Sequence, residues 1–243
     1  MEPQKAQGGI ELPQATMDVS HAWKGATDFF CLGGRAPSDT WVQDTLRLQP
    51  HVRLHAVDRG VAICRRLHLV PDFLIGDADS ATNEDWAWGE VHARRVERHP
   101  VKKDLTDTQL ALMYENEVTP CGRFLLTGAF GGRFDHAFST IFSGAYTQTF
   151  CVLSDERETV AYLKDDEWMT IHCQAIPKAI SLLPLTSEVT GVTTDGLYWS
   201  LKNATLLQEL PTAVSNVLNA GTSTFTISIQ KGTLAIYICW DER

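Results

Sequence analysis

The chain has 243 residues, a formal charge of −9 at pH 7 and 44% hydrophobic residues. That length and apolar content support one large domain or two small ones with real cores. The acidic balance argues against nucleic-acid and anionic-membrane partners, both of which would repel it. No run approaches the length of a membrane span. The first 22 residues have no apolar core and carry Glu2, Glu11 and Asp18, so they read as a flexible tail and not as a signal peptide or an anchor. Cysteines 31, 64, 121, 151, 173 and 239 form no CxxC pair. They read as reduced thiols in a reducing compartment, and a cytoplasmic protein is expected.

From residue 28 the chain alternates apolar runs with helical patterns. "DFFCLGG" (28–34) reads as a buried strand ending in glycines, and residues 39–49 have helical spacing. "RLHAVD" (53–58) is a second strand, 60–69 a helix, and "PDFLIGDADS" (71–80) a strand meeting an acidic loop. His51 and His55 lie two pleats apart on such a strand, which disfavours a shared zinc. A helix is expected at 104–118, a strand and loop at 123–132, a helix starting at His136, and a strand at 150–154. This alternation predicts an α/β domain with a Rossmann-like parallel sheet over residues 23–152. Beyond it, "WMTIHCQ", "AISLLPL", "GLYWSLKN", "FTISIQKG" and "TLAIYICW" are short, β-branched or aromatic segments. They predict an all-β sandwich domain over 153–243, with Leu197 and Trp199 in its core by period-2 alternation.

Ligands of open parallel sheets bind beyond the carboxyl ends of the strands. That edge would gather Asp77, Asp79, Asp104, Asp107, Arg133 and Asp135. In an extended loop Asp77 and Asp79 point the same way. Asp104 and Asp107 lie at a helix start, where an N-cap and a dipole-favoured neighbour explain that pair by itself. Carboxylates crowded together raise one another's pKa, and a hard divalent cation such as Mg2+ resolves the repulsion. In "GAFGGRFDH" (128–136), Gly131 and Gly132 permit positive φ and close backbone approach, while Arg133 offers a planar fork suited to phosphate. The loop is neither a Walker loop nor a full dinucleotide fingerprint. Together with the aspartates it reads as a phosphate–magnesium site.

The segments "GDADS", "KKDLTD" and "GAFGGRFDH", in this order, resemble the signature segments of thiamin pyrophosphokinases. "TTDGLYWSLKN" (193–203) and "VSN" (214–216) resemble motifs of that family's second domain. The resemblance runs from about residue 28 onward. It implies Mg-dependent transfer of the diphosphate of ATP, the co-substrate, to the hydroxyethyl group of thiamin, with AMP released. It also implies a homodimer with shared active sites. On this resemblance Asp77, Asp79 and Asp107 match the metal aspartates, and Asp104 assists. Arg133 matches the phosphate-gripping arginine, and the positive charges of Lys102 and Lys103 would aid it in neutralising the phosphates. Asp135 matches the aspartate beside thiamin, either accepting the hydroxyl proton or orienting it, and Ser215 and Asn216 match residues that hold the vitamin. Ala78, Lys102, Arg59 and Ala213 depart from the usual pattern. A Mg-dependent phosphohydrolase, or a non-catalytic thiamin- or nucleotide-binding protein of the same fold, is the competing expectation.

Overall fold

The computed structural model describes residues 9–21, 23, 25–49, 51–100, 104–118 and 122–241. The chain divides into two compact units. One is formed by Gly25–Asp155, the other by the residues before Gly25 together with those after Asp155.

Strand β1 (Ala15–Val19) opens the described chain. The α/β unit follows with β2 (Thr27–Cys31), α1 (Asp39–Leu48), β3 (Val52–Val57), a 3-10 turn (Asp58–Gly60), α2 (Val61–Arg66), β4 (Phe73–Gly76) and α3 (Asn83–His92). It continues with β5 (Arg95–Arg98), α4 (Asp107–Val118), β6 (Arg123–Thr127), α5 (Phe134–Tyr146) and β7 (Phe150–Ser154). These strands pair in the order β7-β6-β2-β3-β4-β5, and every pairing is parallel. Strands β2, β6 and β7 are buried along their whole length, as expected where helices cover both faces of a sheet. Strand β5, "RVER", is largely exposed at the edge, where its charges oppose pairing with another chain. The order reverses between β2 and β6: successive strands run outward from β2 on one side through β3, β4 and β5, and on the other through β6 and β7.

Helix α4 carries Asp107 at its first position, so its seating bears on the site. Its N-terminus is closed by a reciprocal capping box. The Gln109 amide donates to Thr106 Oγ1 at 3.2 Å, and the Thr106 amide donates to Gln109 Oε1 at 2.9 Å. Further along, buried Glu115 of α4 lies 3.0 Å from Arg53 Nη2. Arg53 grips buried Asp28 through Nε and Nη2, both at 2.7 Å, and His55 Nε2 lies 2.7 Å from the same carboxylate. This network ties α4 to the amino-terminal ends of β2 and β3, the end of the sheet opposite the acidic loops.

The second unit contains β8 (Glu158–Leu163), β9 (Trp168–Cys173), β10 (Ala179–Pro184), β11 (Glu188–Asp195), β12 (Ala204–Leu207), β13 (Thr224–Ser228) and β14 (Leu234–Cys239). One antiparallel sheet has the order β1-β9-β13-β11-β12. Strands β10, β14 and β8 pair antiparallel in that order.

Four expectations change. Residues 9–21 are not a tail: Ala15, Met17 and Val19 are buried in alternation with Thr16 and Asp18, and β1 pairs with β9, Met17 opposite Ile171. The division between units falls after Asp155, three residues later than expected. Helix α5 begins at Phe134, so His136 lies within its first turn. Residues 196–203 form no strand. Gly196 (φ +81°) and Asn203 (φ +49°) turn the backbone at both ends, and the bridge between Leu197 and Leu218 is isolated. Alternation therefore breaks after buried Leu197, and Trp199, expected in the core, is 58% exposed.

Candidate active site

The acidic loops end at the carboxyl edge of the α/β unit, as the parallel sheet requires. Carboxylate oxygens of Asp58, Asp77 and Asp107 all lie within 4.8 Å of one another. Asp58 follows β3, Asp77 follows β4, and Asp107 heads α4, so three crossovers deliver one group each. Asp58 is the member that sequence reading missed. It sits at the "DRG" turn, beside Arg59, one of the departures from the usual pattern. Its backbone adopts φ +50°, an uncommon conformation for which aspartate is better suited than most residues. Its Oδ2 accepts a short hydrogen bond from the Ser80 hydroxyl. Its Oδ1 is buried with no hydrogen-bond partner. Burial pushes the Asp58 carboxyl above its usual range. The Ser80 hydrogen bond opposes this, and the charges of Asp107, Asp77 and Asp79 add to the rise.

The "GDADS" loop is not extended. Ala78 has φ +66°, and the Asp79 amide donates to Asp77 Oδ1 at 3.1 Å. The turn separates the two side chains, so Asp79 stays exposed outside the three-oxygen cluster while its charge still reaches Asp58. Asp104 is exposed and is not among the carboxylates brought together. The capping role falls to Thr106 instead. Lys102 and Lys103 lie outside the described residues. An all-oxygen donor set with a buried, unsatisfied carboxylate oxygen fits a hard cation such as Mg2+, which favours carboxylates, waters and phosphate oxygens.

The glycine loop lies next to the loop that follows β2. The Leu32 amide donates to Thr127 O at 2.8 Å, Gly34 to Gly128 O at 2.7 Å, and Arg35 to Phe130 O at 2.5 Å. A Cβ on Gly34 would stand 2.4 Å from Gly128 O, so only glycine allows this approach. Arg35 donates to fully buried Asp155 through Nε at 3.1 Å and Nη2 at 2.6 Å, which braces the β2 loop beside Gly131. Gly131 and Gly132 take φ +71° and +67°, and the loop delivers Arg133 to the N-cap of α5. There Arg133 forms a two-point pair with Asp135, Nε–Oδ1 at 3.1 Å and Nη2–Oδ2 at 2.5 Å. Both side chains are exposed. The Arg133 guanidinium holds the Asp135 carboxyl below its usual range, assisted by the His136 amide.

In the β unit, Asn216 spends its amide on the backbone of Trp199. Its Oδ1 accepts from the Trp199 amide at 3.1 Å and from the Val217 amide at 2.9 Å, and its Nδ2 donates to Trp199 O at 2.8 Å. Trp199 and Tyr198 are presented outward, edge to face, with ring centroids 4.8 Å apart. Ser215 has φ +58° and donates its amide to Ser181 Oγ at 3.0 Å.

Two family models match this chain: the thiamin pyrophosphokinase catalytic domain over residues 47–152 and the thiamin pyrophosphokinase vitamin B1 binding domain over residues 169–234. The chain belongs to the thiamin pyrophosphokinase family. A thiamine pyrophosphokinase of Bacillus subtilis is 27% identical over 187 residues, covering 76% of this chain and 86% of the relative. Thiamine pyrophosphokinase 1 of Arabidopsis thaliana is 27% identical over 191 residues, covering 72% of each. Among solved structures, the Bacillus subtilis thiamine pyrophosphokinase superposes with a TM-score of 0.74 at 25% identity, covering 88% of this chain and 99% of that one. The thiamin pyrophosphokinase of Candida albicans, at 15% identity and a TM-score of 0.72 over 89% of each chain, shares the fold. The catalytic-domain match includes Asp58, Asp77, Asp107, Arg133 and Asp135, and the second match includes Trp199, Ser215 and Asn216.

Proposed function

We propose that this chain transfers the diphosphate of ATP to the hydroxyethyl oxygen of thiamin, releasing AMP. The observation that carries the reading is the carboxylate cluster of Asp58, Asp77 and Asp107 on the same sheet edge as the glycine loop and Arg133, in a chain of this family. We read the α/β unit as a Rossmann-like doubly wound sheet, with the nucleotide at the β2/β6 reversal, and the second unit as a β-sandwich. Asp58, Asp77 and Asp107 would hold Mg2+, with Asp79 adding charge nearby. The ion would neutralise phosphate charge that an acidic protein otherwise repels.

Phosphoryl-type transfer needs positioning and charge stabilisation more than covalent help. Arg133 supplies a fork matched to phosphate oxygens. Held low by Arg133, Asp135 is ionised at neutral pH and a weak base, which favours orienting the thiamin hydroxyl through a hydrogen bond. If a phosphate takes the Arg133 fork, that restraint on Asp135 is lifted and its proton affinity rises. Thiamin is an aromatic cation, and the exposed Tyr198–Trp199 edge suits it by stacking and cation–π attraction. Asn216 then serves by holding Trp199 and Ser215 by its exposed hydroxyl. A homodimer with shared active sites completes the reading. Phe134, Phe138 and Tyr146 of α5 and Met113 of α4 leave an exposed apolar face, of the kind that marks an interaction surface. Cys31, Cys64, Cys151, Cys173 and Cys239 are not in disulfides, which supports a cytoplasmic setting.

The test is incubation with ATP and magnesium, with and without thiamin, following AMP, phosphate and thiamin diphosphate. Thiamin-dependent AMP with equimolar thiamin diphosphate is expected. Phosphate release without thiamin would replace this reading with a phosphohydrolase, and binding without turnover would replace it with a binding protein.

A further inference from the structure

The carboxyl edge of the α/β unit carries three arginines on its loops: Arg35 after β2, Arg59 after β3 and Arg133 after β6. Arg35 is committed to buried Asp155 and Arg133 to Asp135. Arg59 differs. It is exposed, and its Nη2 donates a short hydrogen bond to the Gly33 carbonyl, a neutral acceptor. Among the described residues, Arg59 meets no carboxylate, although it follows Asp58 directly in the chain. Its stem lies over the β2 loop, where a Cβ added to Gly33 would come within 3.2 Å of Arg59 Cβ. The side chain thus runs from the end of β3 across the β2 loop, toward the side on which β6 pairs.

This placement has a chemical consequence. The β2/β6 reversal is where an open α/β sheet receives its ligand. A guanidinium has five N–H donors in a rigid plane, and one carbonyl occupies one of them. The remaining donors, on a side chain fixed at its tip, suit a phosphate at little ordering cost. Binding there displaces no carboxylate, whereas Arg133 must first leave Asp135. A cation beside the cluster of Asp58, Asp77 and Asp107 also supplies positive charge where a polyanion meets an acidic edge.

We propose that Arg59 is a binding residue for the polyphosphate of the nucleoside triphosphate, gripping it from the β3 side while the metal aspartates and Arg133 act on the transferred part. The proposal rests on the diphosphate-transfer reading given above. The experiment is calorimetric titration of ATP, with magnesium, and separately of thiamin, into the full chain and its Arg59→Gln and Arg59→Lys variants, with a thermal midpoint for each. Arg59→Gln should weaken ATP binding tenfold or more, Arg59→Lys should recover part of the loss, and thiamin affinity should stay within twofold. The midpoint should stay within about 2 °C, as for an exposed surface substitution. ATP affinity within twofold of the parent in Arg59→Gln overturns the proposal. So does a parallel loss of ATP and thiamin binding with a lowered midpoint, which would make Arg59 a prop for the β2 loop. A parent that makes thiamin diphosphate while Arg59→Gln keeps its ATP affinity sinks the Arg59 assignment alone. A parent that neither binds ATP nor forms product sinks both readings.

Discussion

Replacing Asp58 by Asn should stabilise the metal-free protein and remove most of its response to magnesium. Asp58 faces Asp77 and Asp107 with oxygens no more than 4.8 Å apart. At that distance two unit charges repel by about 0.9 kcal/mol at the dielectric of water and about 3.5 kcal/mol at an effective dielectric of 20. The loops border solvent, so the lower figure is the better guide, and removing both repulsions returns about 2 kcal/mol. For a chain of this size that raises the thermal midpoint by roughly 4–8 °C. The pH dependence has a definite sign. Burial, with the neighbouring aspartates, raises the folded-state pKa of Asp58 above its unfolded value. The penalty is therefore full above the folded-state pKa and fades as pH falls through it toward the unfolded value. The advantage of the Asn variant should accordingly be largest near pH 7 and shrink on acidification. Magnesium should reverse the order: a ligand at a hundred times its Kd adds about 2.7 kcal/mol to the parent, and much less to a variant lacking one donor. The assay is differential scanning fluorimetry in chelator and in magnesium from pH 4 to 7.5. If the variant melts at or below the parent in chelator, or gains as much from magnesium, the three aspartates are not a cation site.

Arg133→Lys keeps the charge but loses the two-point fork, so kcat should fall about a hundredfold, the scale of losing one transition-state donor, with thiamin KM changed far less; parental turnover would return Arg133 to a surface role. Asn216→Ala and Trp199→Ala should each raise thiamin KM about tenfold, and the double variant should be little worse, because neighbours acting through one contact are not additive. Additive effects would mean that Asn216 touches thiamin itself. Co-expressed, differently tagged Asp77→Asn and Trp199→Ala chains, assayed at thiamin well below KM, where the first homodimer is inactive and the second keeps about a tenth of parental activity, should recover about a quarter, since half the dimers are mixed and each has one intact pocket; verified mixed dimers no more active than the single variants would place the whole pocket in one chain.

The sheet was legible because its central strands are apolar along their length: "TDFFC", "RFLLT" and "FCVLS" allow little else. The second unit was legible as β structure, but not its first strand. The alternation of Ala15, Met17 and Val19 is plain once seen, yet it stands 150 residues from its partner β9 and beside an unpatterned terminus. Helix α3 also went unnoticed, although Thr82 caps it, its Oγ1 accepting from the Asp85 amide at 3.1 Å and donating to Asp85 Oδ2 at 2.6 Å. Its "NEDWAWGEVH" lacks a clean apolar stripe, so the cap was the signal to use. At the site, sequence reading brought acidic loops to one sheet edge but did not say which carboxylates meet. That choice is made by turns. Positive φ at Asp58 and Ala78 brings Asp58 in and puts Asp79 out. The same holds for Trp199: alternation assigned it to the core, and a turn at Gly196 with a side-chain clasp from Asn216 turned it outward.

An acidic chain that binds a polyphosphate must separate its charges locally, and the strand order does this. Asp58, Asp77 and Asp107 follow β3, follow β4 and head α4, whereas Arg35 follows β2 and Arg133 follows β6, the two strands that flank the reversal. Neighbouring strands lie about 4.8 Å apart, so two spacings, about 10 Å, separate the loops after β3 and β6. A nucleoside triphosphate laid across the carboxyl edge would then meet a cation held by carboxylates at one end and guanidinium forks at the other. Arg59 stands at the seam, rooted beside Asp58 with its guanidinium on the β2 loop. The glycines permit this crowding: Gly34 and Gly128 bring two loop backbones within hydrogen-bonding distance, a contact that any side chain at Gly34 would block. Small residues at the reversal and charged residues on either side of it are parts of one solution under the proposed function, in which backbone approach would set where the phosphates lie and the flanking charges would decide which end reacts.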